Sequence, residues 1–586
     1  MSPACYVYYA FIGGAVAAAG CSSGSTSIPA KASISGLPVV DLGYGLWQGT
    51  INETGGYYNF SNVRYAQPPV GQLRFAAPKP PRTNRSVIHD GQHGRVCPQG
   101  YPAWTKERNM FVDAYLADPK NISSFTKKPA PGIDPTATPP PQDNGWATED
   151  CLFLDVISPV NVYDSGSLNN SGGAPVHVWL FGGGFYSGDK NDNNPSGFVV
   201  ESMKNPQTQP GVIWVAINYR IGALGWLAGS NFTASGGIPN AGLHDQRLAL
   251  HWIQRNIHLF GGDPNKITLM GASAGASSTL HQITAYGGSK GNAPFQKAVP
   301  ESPAFAPSPS DAFQNSIYQR FLASANLTSL ADLRKLSSED AIKLNSLTIF
   351  NALYGNDGGL GPAVDGTFVP NLLTILLKQG NFSKNVQGVF AGHNTDEGLI
   401  FTDPSIQNTT AFNAFIRQVL LAGTTNQTYE YIENTLYPAV FNNLTGLGYN
   451  DTTSRLATLI ADYTLNCNVR AVLEAFNVNK THGYLFTEGA ALHSEETPYM
   501  FYSASPTVDE WKIGVVNGTV AQTLQNWILN FGATGNPNGE GSPSIPTYGP
   551  DFTMGVLSQK GVGNPVKDPA GKERCEFWQS GAYAKQ

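Results

Sequence analysis

Chemistry in this chain starts from Ser273. It stands in Ile267-Thr-Leu-Met-Gly-Ala-Ser-Ala-Gly-Ala276, where a short apolar run breaks into G-x-S-x-G and then into small residues able to open a helix. That pattern is the sequence form of a nucleophile elbow, a tight strand-to-helix turn that leaves a serine Oγ exposed. Gly271 and Gly275 let the backbone pass closely on either side. An unassisted alcohol is a poor nucleophile, so the chain must also supply a base, a group that orients the base, and donors for the anion that develops.

Donors are offered by Phe181-Gly-Gly-Gly-Phe-Tyr-Ser-Gly188, which follows an apolar run directly. Glycines there let N–H groups point at one spot, so Gly183 and Gly184, with the amide of Ala274, form a candidate oxyanion hole. The competing reading, a phosphate-cradling loop, lacks its G-K-[ST] ending, because Lys190 comes too late and no Ser or Thr follows it. Near neutrality histidine is the natural base. Of the ten histidines, His244, His251 and His258 share one predicted helix and His177 lies mid-strand. His493 instead ends a small-residue loop, Glu488-Gly-Ala-Ala-Leu-His, after the strand-like Gly483-Tyr-Leu-Phe486. The orienting carboxylate is expected between serine and histidine in chain order. Gly392-His-Asn-Thr-Asp-Glu-Gly398 offers both Asp396 and Glu397 at the end of a strand-like run, and spacing does not choose between them.

These residues need a sheet to carry them. Leu46 to Asn52 and Tyr57 to Tyr65 read as early strands, and Leu152 to Ile157, Val176 to Phe181 and Val212 to Asn218 as buried ones. Near-continuous apolar runs separated by helical patterns indicate a mostly parallel sheet covered on both faces. Gly242 to Phe260 reads as a helix with Leu243, Arg247, Leu250, Ile253 and Ile257 along a stripe, stopped by Gly261-Gly262-Asp263-Pro264. Between Cys97 and Cys151 lies a Pro-rich excursion, with prolines from Pro129 to Pro141 and the apolar Tyr101, Trp104, Phe111, Tyr115, Leu116 and Trp146.

Net charge is −6 with only 13% charged residues, which leaves no basic stripe for nucleic acid. No apolar run beyond the N-terminus reaches spanning length. The apolar segment Ala4 to Ala19, ending in small residues around Ala17-Ala-Ala-Gly-Cys21, reads as a signal peptide over residues 1–20, cut between about Ala19 and Ser22, with a lipidated Cys21 as the rival reading. Fourteen N-x-[ST] sequons, from Asn52 to Asn517, exceed the roughly six or seven that composition would give and favour a eukaryotic secretory route. Cys97, Cys151, Cys467 and Cys575 then form an even set that permits three pairings in an oxidising compartment.

Taken together, the chain resembles the type-B carboxylesterase/lipase family, which includes cholinesterases, fungal lipases and non-catalytic adhesion proteins. The resemblance runs from about Val39 to Trp578 and rests on the glycine loop, Asn218-Tyr-Arg-Ile-Gly222, Asn240-Ala-Gly-Leu-His-Asp-Gln-Arg-Leu-Ala-Leu250, Phe260-Gly-Gly-Asp-Pro264, the elbow, Pro362-Ala-Val-Asp-Gly366, Asp396-Glu-Gly398, His493 and Cys575-Glu-Phe-Trp578. It implies an α/β-hydrolase fold, as a single catalytic domain over 35–586 with long insertions and a lid-like excursion at 97–151. It implies the triad Ser273, Glu397 and His493, bridges Cys97 with Cys151 and Cys467 with Cys575, and neither metal nor organic cofactor. Two positions depart from the family's pattern. Ala272 replaces a common Glu before the nucleophile, which argues against a cationic choline substrate, and Ser494 replaces the usual Gly after the histidine, a site expected to need little room. The expected activity is secreted hydrolysis of carboxylic esters, from short-chain esters to lipids at an interface. The alternatives are a non-catalytic binding or adhesion module on the same scaffold, or an esterase of narrow specificity.

Overall fold

The computed structural model describes residues 32–584 except 35, 92, 126–145, 166–171, 306–309, 353–358, 418–420, 422–423, 443–445, 478–479 and 505–514. The signal segment 1–20, the proline run from Pro129 to Pro141 and the sequons at Asn169, Asn443 and Asn479 lie outside the described residues.

The first strands are β1 (Ala32–Ile34), β2 (Leu37–Asp41), β3 (Leu46–Gln48), β4 (Thr50–Asn52), β5 (Tyr57–Arg64) and β6 (Ile88–His89). They are followed by β7 (Phe153–Pro159), β8 (Ala174–Leu180), β9 (Ile213–Ile217), β10 (Gly262–Ala272), β11 (Lys297–Glu301), β12 (Gly388–Asn394), β13 (His482–Phe486), β14 (Thr553–Ser558) and β15 (Gly561–Lys567). β1, β2, β3 and β6 make a small sheet, and the other strands form an eleven-stranded sheet in the order β15-β14-β13-β12-β11-β10-β8-β9-β7-β5-β4. From β9 through β8, β10, β11, β12 and β13 to β14 every neighbouring pair is parallel. Antiparallel strands β15 on one side and β7, β5 and β4 on the other complete its edges.

The expected early strand from Leu46 to Asn52 divides at Gly49, so that β3 joins the small sheet and β4 the large one. A Cβ at Gly49 would stand 3.0 Å from the Phe60 ring, so the chain bends where only a bare backbone passes that ring. The apolar runs of the large sheet are covered on both faces, with every residue of β9, β11, β12 and β13 in the parallel core, and of the neighbouring β7, buried. The helix Gly518–Thr534 covers the face that bears His177 and Thr268, and a Cβ on Gly532 would sit 2.3 Å from the His177 ring. Ile257, just beyond the helix Ala241–Asn256, packs beside Gly262 with Val176, which points to the other face. That helix runs on as a 3-10 turn, Ile257–Phe260, and Gly261 at φ 93° stops it where the sequence places the stop.

After β8 the chain forms β9 on one side, then returns past β8 to form β10 on the other. Loops leaving β8 and β10 therefore diverge in chain direction but start side by side. Such a switch point opens a crevice at the carboxyl ends of the strands, the usual ligand position in an open α/β sheet.

Candidate active site

Each candidate group leaves the carboxyl end of a parallel strand: the glycine loop after β8, Ser273 after β10, Glu397 after β12 and His493 after β13. Ser273 lies between the last residue of β10 and the helix Ala274–Thr284, at φ 56° and ψ −123°. A non-glycine residue holds that conformation only when its surroundings over-determine it. Here the Ser273 N–H donates to the Glu301 carbonyl (3.0 Å) and its own carbonyl accepts from Ala304 N–H (3.1 Å). The flanking glycines are sterically required. A Cβ at Gly271 would approach the Leu180 carbonyl oxygen to 2.5 Å, and one at Gly275 would approach the same oxygen to 2.0 Å.

His493 joins the other two groups. Its Nε2 is 2.7 Å from Ser273 Oγ and its Nδ1 is 2.5 Å from Glu397 Oε2. Glu397 is fully buried, whereas Asp396 is exposed. The turn after β12 separates them: the Asp396 N–H donates to the Ala491 carbonyl (2.9 Å), which fixes its backbone against the histidine loop and sends the next side chain inward. No side chain fits after Glu397, since a Cβ at Gly398 would lie 1.9 Å from the Ala457 carbonyl oxygen. Burial alone would raise the Glu397 pKa. The His493 charge and hydrogen bond, the Asn394 amide and the Ser302 hydroxyl outweigh it and hold the carboxyl below the usual range. The Phe401 ring backs the imidazole, with centroids 5.2 Å apart.

Behind Glu397 lies a layer that sequence spacing did not reveal. Asn394 N–H donates to Glu397 Oε1 (2.7 Å). Ser302 Oγ stands 2.6 Å from that same oxygen and 2.6 Å from Oε1 of Glu496. A hydroxyl has one proton to give, so one carboxyl must hold a proton and donate it to Ser302. Glu397 is already satisfied by an amide and the imidazole, which leaves Glu496 as the protonated acid. Burial, then the charge of Glu397, pushes Glu496 up to about 7. Its other oxygen accepts from Asn394 Nδ2 (2.6 Å). Glu301, also buried, is driven well above the ordinary range by burial and by Glu496. Glu496 lies three residues beyond His493 in the acidic pair Glu495-Glu496, whereas Ser302 belongs to no sequence motif.

The glycine loop turns away from β8 with Gly183 at φ 98° and Gly184 at φ 60°. A Cβ on Gly182 would come within 3.0 Å of Ser273 Cβ, so the loop lies directly against the elbow. Neither the Gly183 nor the Gly184 N–H donates to any acceptor among the described residues. Ala274 opens its helix, where first-turn amides have no partner within the helix. Lys190 turns to the Asp155 carboxylate (2.6 Å), not to the loop.

The other histidines lie elsewhere. His244 meets Phe368 edge to face, His251 and His258 are exposed on the outer helix and its 3-10 extension, and His177 is sealed in the sheet, where burial pushes it down to about 3. Ser494, expected to need little room, is constrained by backbone instead: its φ of 65° is a conformation that favours glycine. Cysteines bond as Cys97–Cys151 and Cys467–Cys575. The excursion closed by the first bridge contains the helix Thr105–Ala117, whose Phe111 and Val112 pack with Leu399, beside Ile400 and Leu492. The excursion thus rests on the segments that carry Glu397 and His493.

Residues 36–578 match the family model described as the carboxylesterase family. The chain belongs to that family. Carboxylesterase patB of Aspergillus clavatus is 39% identical over 94% of this chain and 97% of its own length, and carboxylesterase patB of Penicillium expansum 36% identical over 93% and 96%. Lipase 1 of Geotrichum candidum is 32% identical over 60% of the chain and 61% of its own length. The solved structure of Aspergillus niger EstA superposes with a TM-score of 0.73 at 24% identity, covering 93% of this chain and 98% of that one. The fold is that of the α/β-hydrolases, and this family member is a carboxylic ester hydrolase. Among the described residues no helix is long and apolar enough to cross a membrane, and no cluster of three His, Cys, Asp or Glu side chains could hold a metal.

Proposed function

We propose that this carboxylesterase is secreted and works through an acyl-enzyme intermediate on Ser273, with His493 as base and Glu397 as its orienting partner. The observation that carries the reading is the single imidazole within hydrogen-bond distance of both Ser273 Oγ and a buried carboxylate. Glu397 accepts a hydrogen bond from Nδ1–H and keeps the proton on that nitrogen, so the Nε2 lone pair faces the hydroxyl. As Oγ attacks the ester carbonyl, Nε2 receives its proton and the carbonyl oxygen gathers charge beside the Gly183, Gly184 and Ala274 amides. Collapse expels the alcohol, which takes the proton from Nε2. Water then gives a proton to Nε2 as its oxygen attacks the acyl carbonyl, and as the bond to Oγ breaks Nε2 returns that proton to Ser273 and the carboxylic acid is released. Glycine N–H groups without an acceptor among the described residues have no existing bond to break as the charge appears, and losing one such donor typically costs about 3 kcal/mol of barrier.

Two bridged cysteine pairs and the sequon excess support export, as do relatives named secreted lipases in Arthroderma benhamiae and Botryotinia fuckeliana. Relatives that match along nearly their whole length are named carboxylesterases, while the lipases match over less. The helix Thr105–Ala117, packed against Leu399 and Leu492 beside Glu397 and His493, supports reading this part of the excursion as a lid-like rim of the site. Ser273→Ala should abolish p-nitrophenyl ester turnover and labelling by an organophosphonate while leaving Tm nearly unchanged; retained hydrolysis refutes the assignment. A chain-length series of p-nitrophenyl esters separates a lipid-taking tunnel from a pocket for short acyl groups.

A further inference from the structure

The unpaired amides of Gly183 and Gly184 are useful only if their direction is held, and little in the loop itself does so. The loop's internal bonds all converge on one acceptor: the Tyr186 and Ser187 N–H groups and Ser187 Oγ donate to the Gly183 carbonyl at 3.1, 2.9 and 3.1 Å. That closes the turn but does not fix the turn in space. Its middle is held by the Gly222 N–H, which donates to the Phe185 carbonyl at 2.7 Å, and its far end is tied separately to the segment after Cys97. Gly188 N–H, buried and at φ 100°, donates to the side-chain oxygen of Gln99 at 3.0 Å. The next residue, Gly100, donates its N–H to the Tyr186 carbonyl at 2.9 Å. Gln99 is itself buried, and its Oε1 also accepts from Tyr101 O–H at 3.2 Å. Both ties come within three residues of Cys97, which the bridge to Cys151 anchors at the start of β7. Gly188 in turn touches the first part of the loop, since a Cβ there would stand 2.7 Å from the Gly182 carbonyl oxygen.

We propose that Gln99 is a positioning residue for the oxyanion hole: it clamps the Gly183–Gly188 turn to the disulfide-anchored segment and so aims the Gly183 and Gly184 amides. The inference rests on the oxyanion reading given above. Without the Gln99 oxygen a buried N–H loses its acceptor, and the turn must shift to find another. Such a shift weakens bonds made to the charged tetrahedral species far more than contacts with the neutral ester, so it lowers kcat and leaves KM.

The test compares Gln99→Met, similar in shape but without the acceptor, with Gln99→Glu, which keeps an oxygen at the same reach. For Gln99→Met we expect kcat on p-nitrophenyl acetate to fall about 10- to 100-fold with KM within about twofold, since displacement of that order costs about 100-fold per ångström. Affinity for a trifluoromethyl ketone, which forms a tetrahedral adduct on Ser273, should fall by the same factor, and Gln99→Glu should recover most of both. Should Gln99→Met fail to fold, Gln99→Asn, whose amide is withdrawn by one methylene, is read the same way. A kcat unchanged, a change in KM alone, or a lowered Tm with intact ketone affinity overturns the proposal. Gly183→Ala separates the two layers: its Cβ would meet the Ser187 carbonyl oxygen at 2.3 Å and must displace the loop. If Gly183→Ala leaves the rate intact, the oxyanion reading fails; if it slows the enzyme while Gln99→Met does not, only the role of Gln99 fails.

Discussion

Replacing Glu397 by glutamine changes one atom in a buried site and should nearly silence the enzyme. Glu397 Oε1 receives two donors, the Asn394 N–H at 2.7 Å and the Ser302 hydroxyl at 2.6 Å, while Oε2 faces His493 Nδ1 at 2.5 Å. A glutamine keeps its oxygen where the Asn394 N–H points, because an amide NH2 there would set donor against donor. Its NH2 is thereby turned toward Nδ1. The imidazole must then accept at Nδ1 and carry its proton on Nε2, 2.7 Å from Ser273 Oγ, where a lone pair is required. The equivalent aspartate-to-asparagine change in a serine-protease triad lowers kcat about 10⁴-fold, or about 5 kcal/mol of barrier. We expect that order of loss for Glu397→Gln in kcat on p-nitrophenyl acetate. Tm should stay within about 3 °C, because the swap is nearly isosteric and removes a buried charge. Asp396→Asn is the matched control, since that carboxyl is exposed, and its kcat should stay within about twofold. A Glu397→Gln enzyme that retains more than about a tenth of its rate, or an Asp396→Asn enzyme slower than it, would refute the tautomer argument.

Glu496→Gln should do the opposite. Its NH2 can donate to Ser302 and its oxygen accept from Asn394, as the protonated acid does, so activity near neutrality should be retained. Stability should differ in its pH dependence. Glu496 is pushed up to about 7 from 4.5, so the folded state holds a proton that the unfolded chain has released, and the stability this proton confers is present below pH 4.5 and lost as pH rises toward 7. Urea unfolding across that window should show wild type losing about 3 kcal/mol relative to Glu496→Gln; a pH-independent difference between them would mean that Glu496 is ionised throughout. Ser494→Gly relieves a residue held at φ 65° and should stabilise the fold by about 1 kcal/mol without altering kcat, read by urea midpoint and esterase rate; a loss of stability would show that the Ser494 side chain holds the loop.

How far the site could be read in advance depended on whether its parts were local in sequence. The elbow and the glycine loop were legible because backbone geometry imposes their residues: a methyl at 275 or 183 would collide with carbonyl oxygens at 2.0 and 2.3 Å, so no other residue type fits unchanged. His493 was legible by its place after a strand. Asp396 and Glu397 were not separable, because adjacent carboxylates differ only in which way the turn points them, and one hydrogen bond from Asp396 to Ala491 across two loops decides that. Ser302, Glu496 and Gln99 act through partners 95, 194 and 89 residues distant, and no spacing within a segment encodes such contacts. Helix Thr105–Ala117 escaped for another reason: only Phe111 and Val112 are buried while Met110 and Leu116 face solvent, so its apolar residues do not mark a single packed face. What the sheet does is bring these separately encoded loops to one edge. The parallel strands β8, β10, β12 and β13 end side by side, and their ends supply groups that no single stretch of sequence contains. Sequence motifs therefore point to the candidate reacting atoms, whereas the hydrogen bonds between them arise only when strands meet. Substitutions at Gln99, Ser302 or Glu496 are for that reason the informative ones: they alter direction and charge at the site while leaving every reacting atom in place.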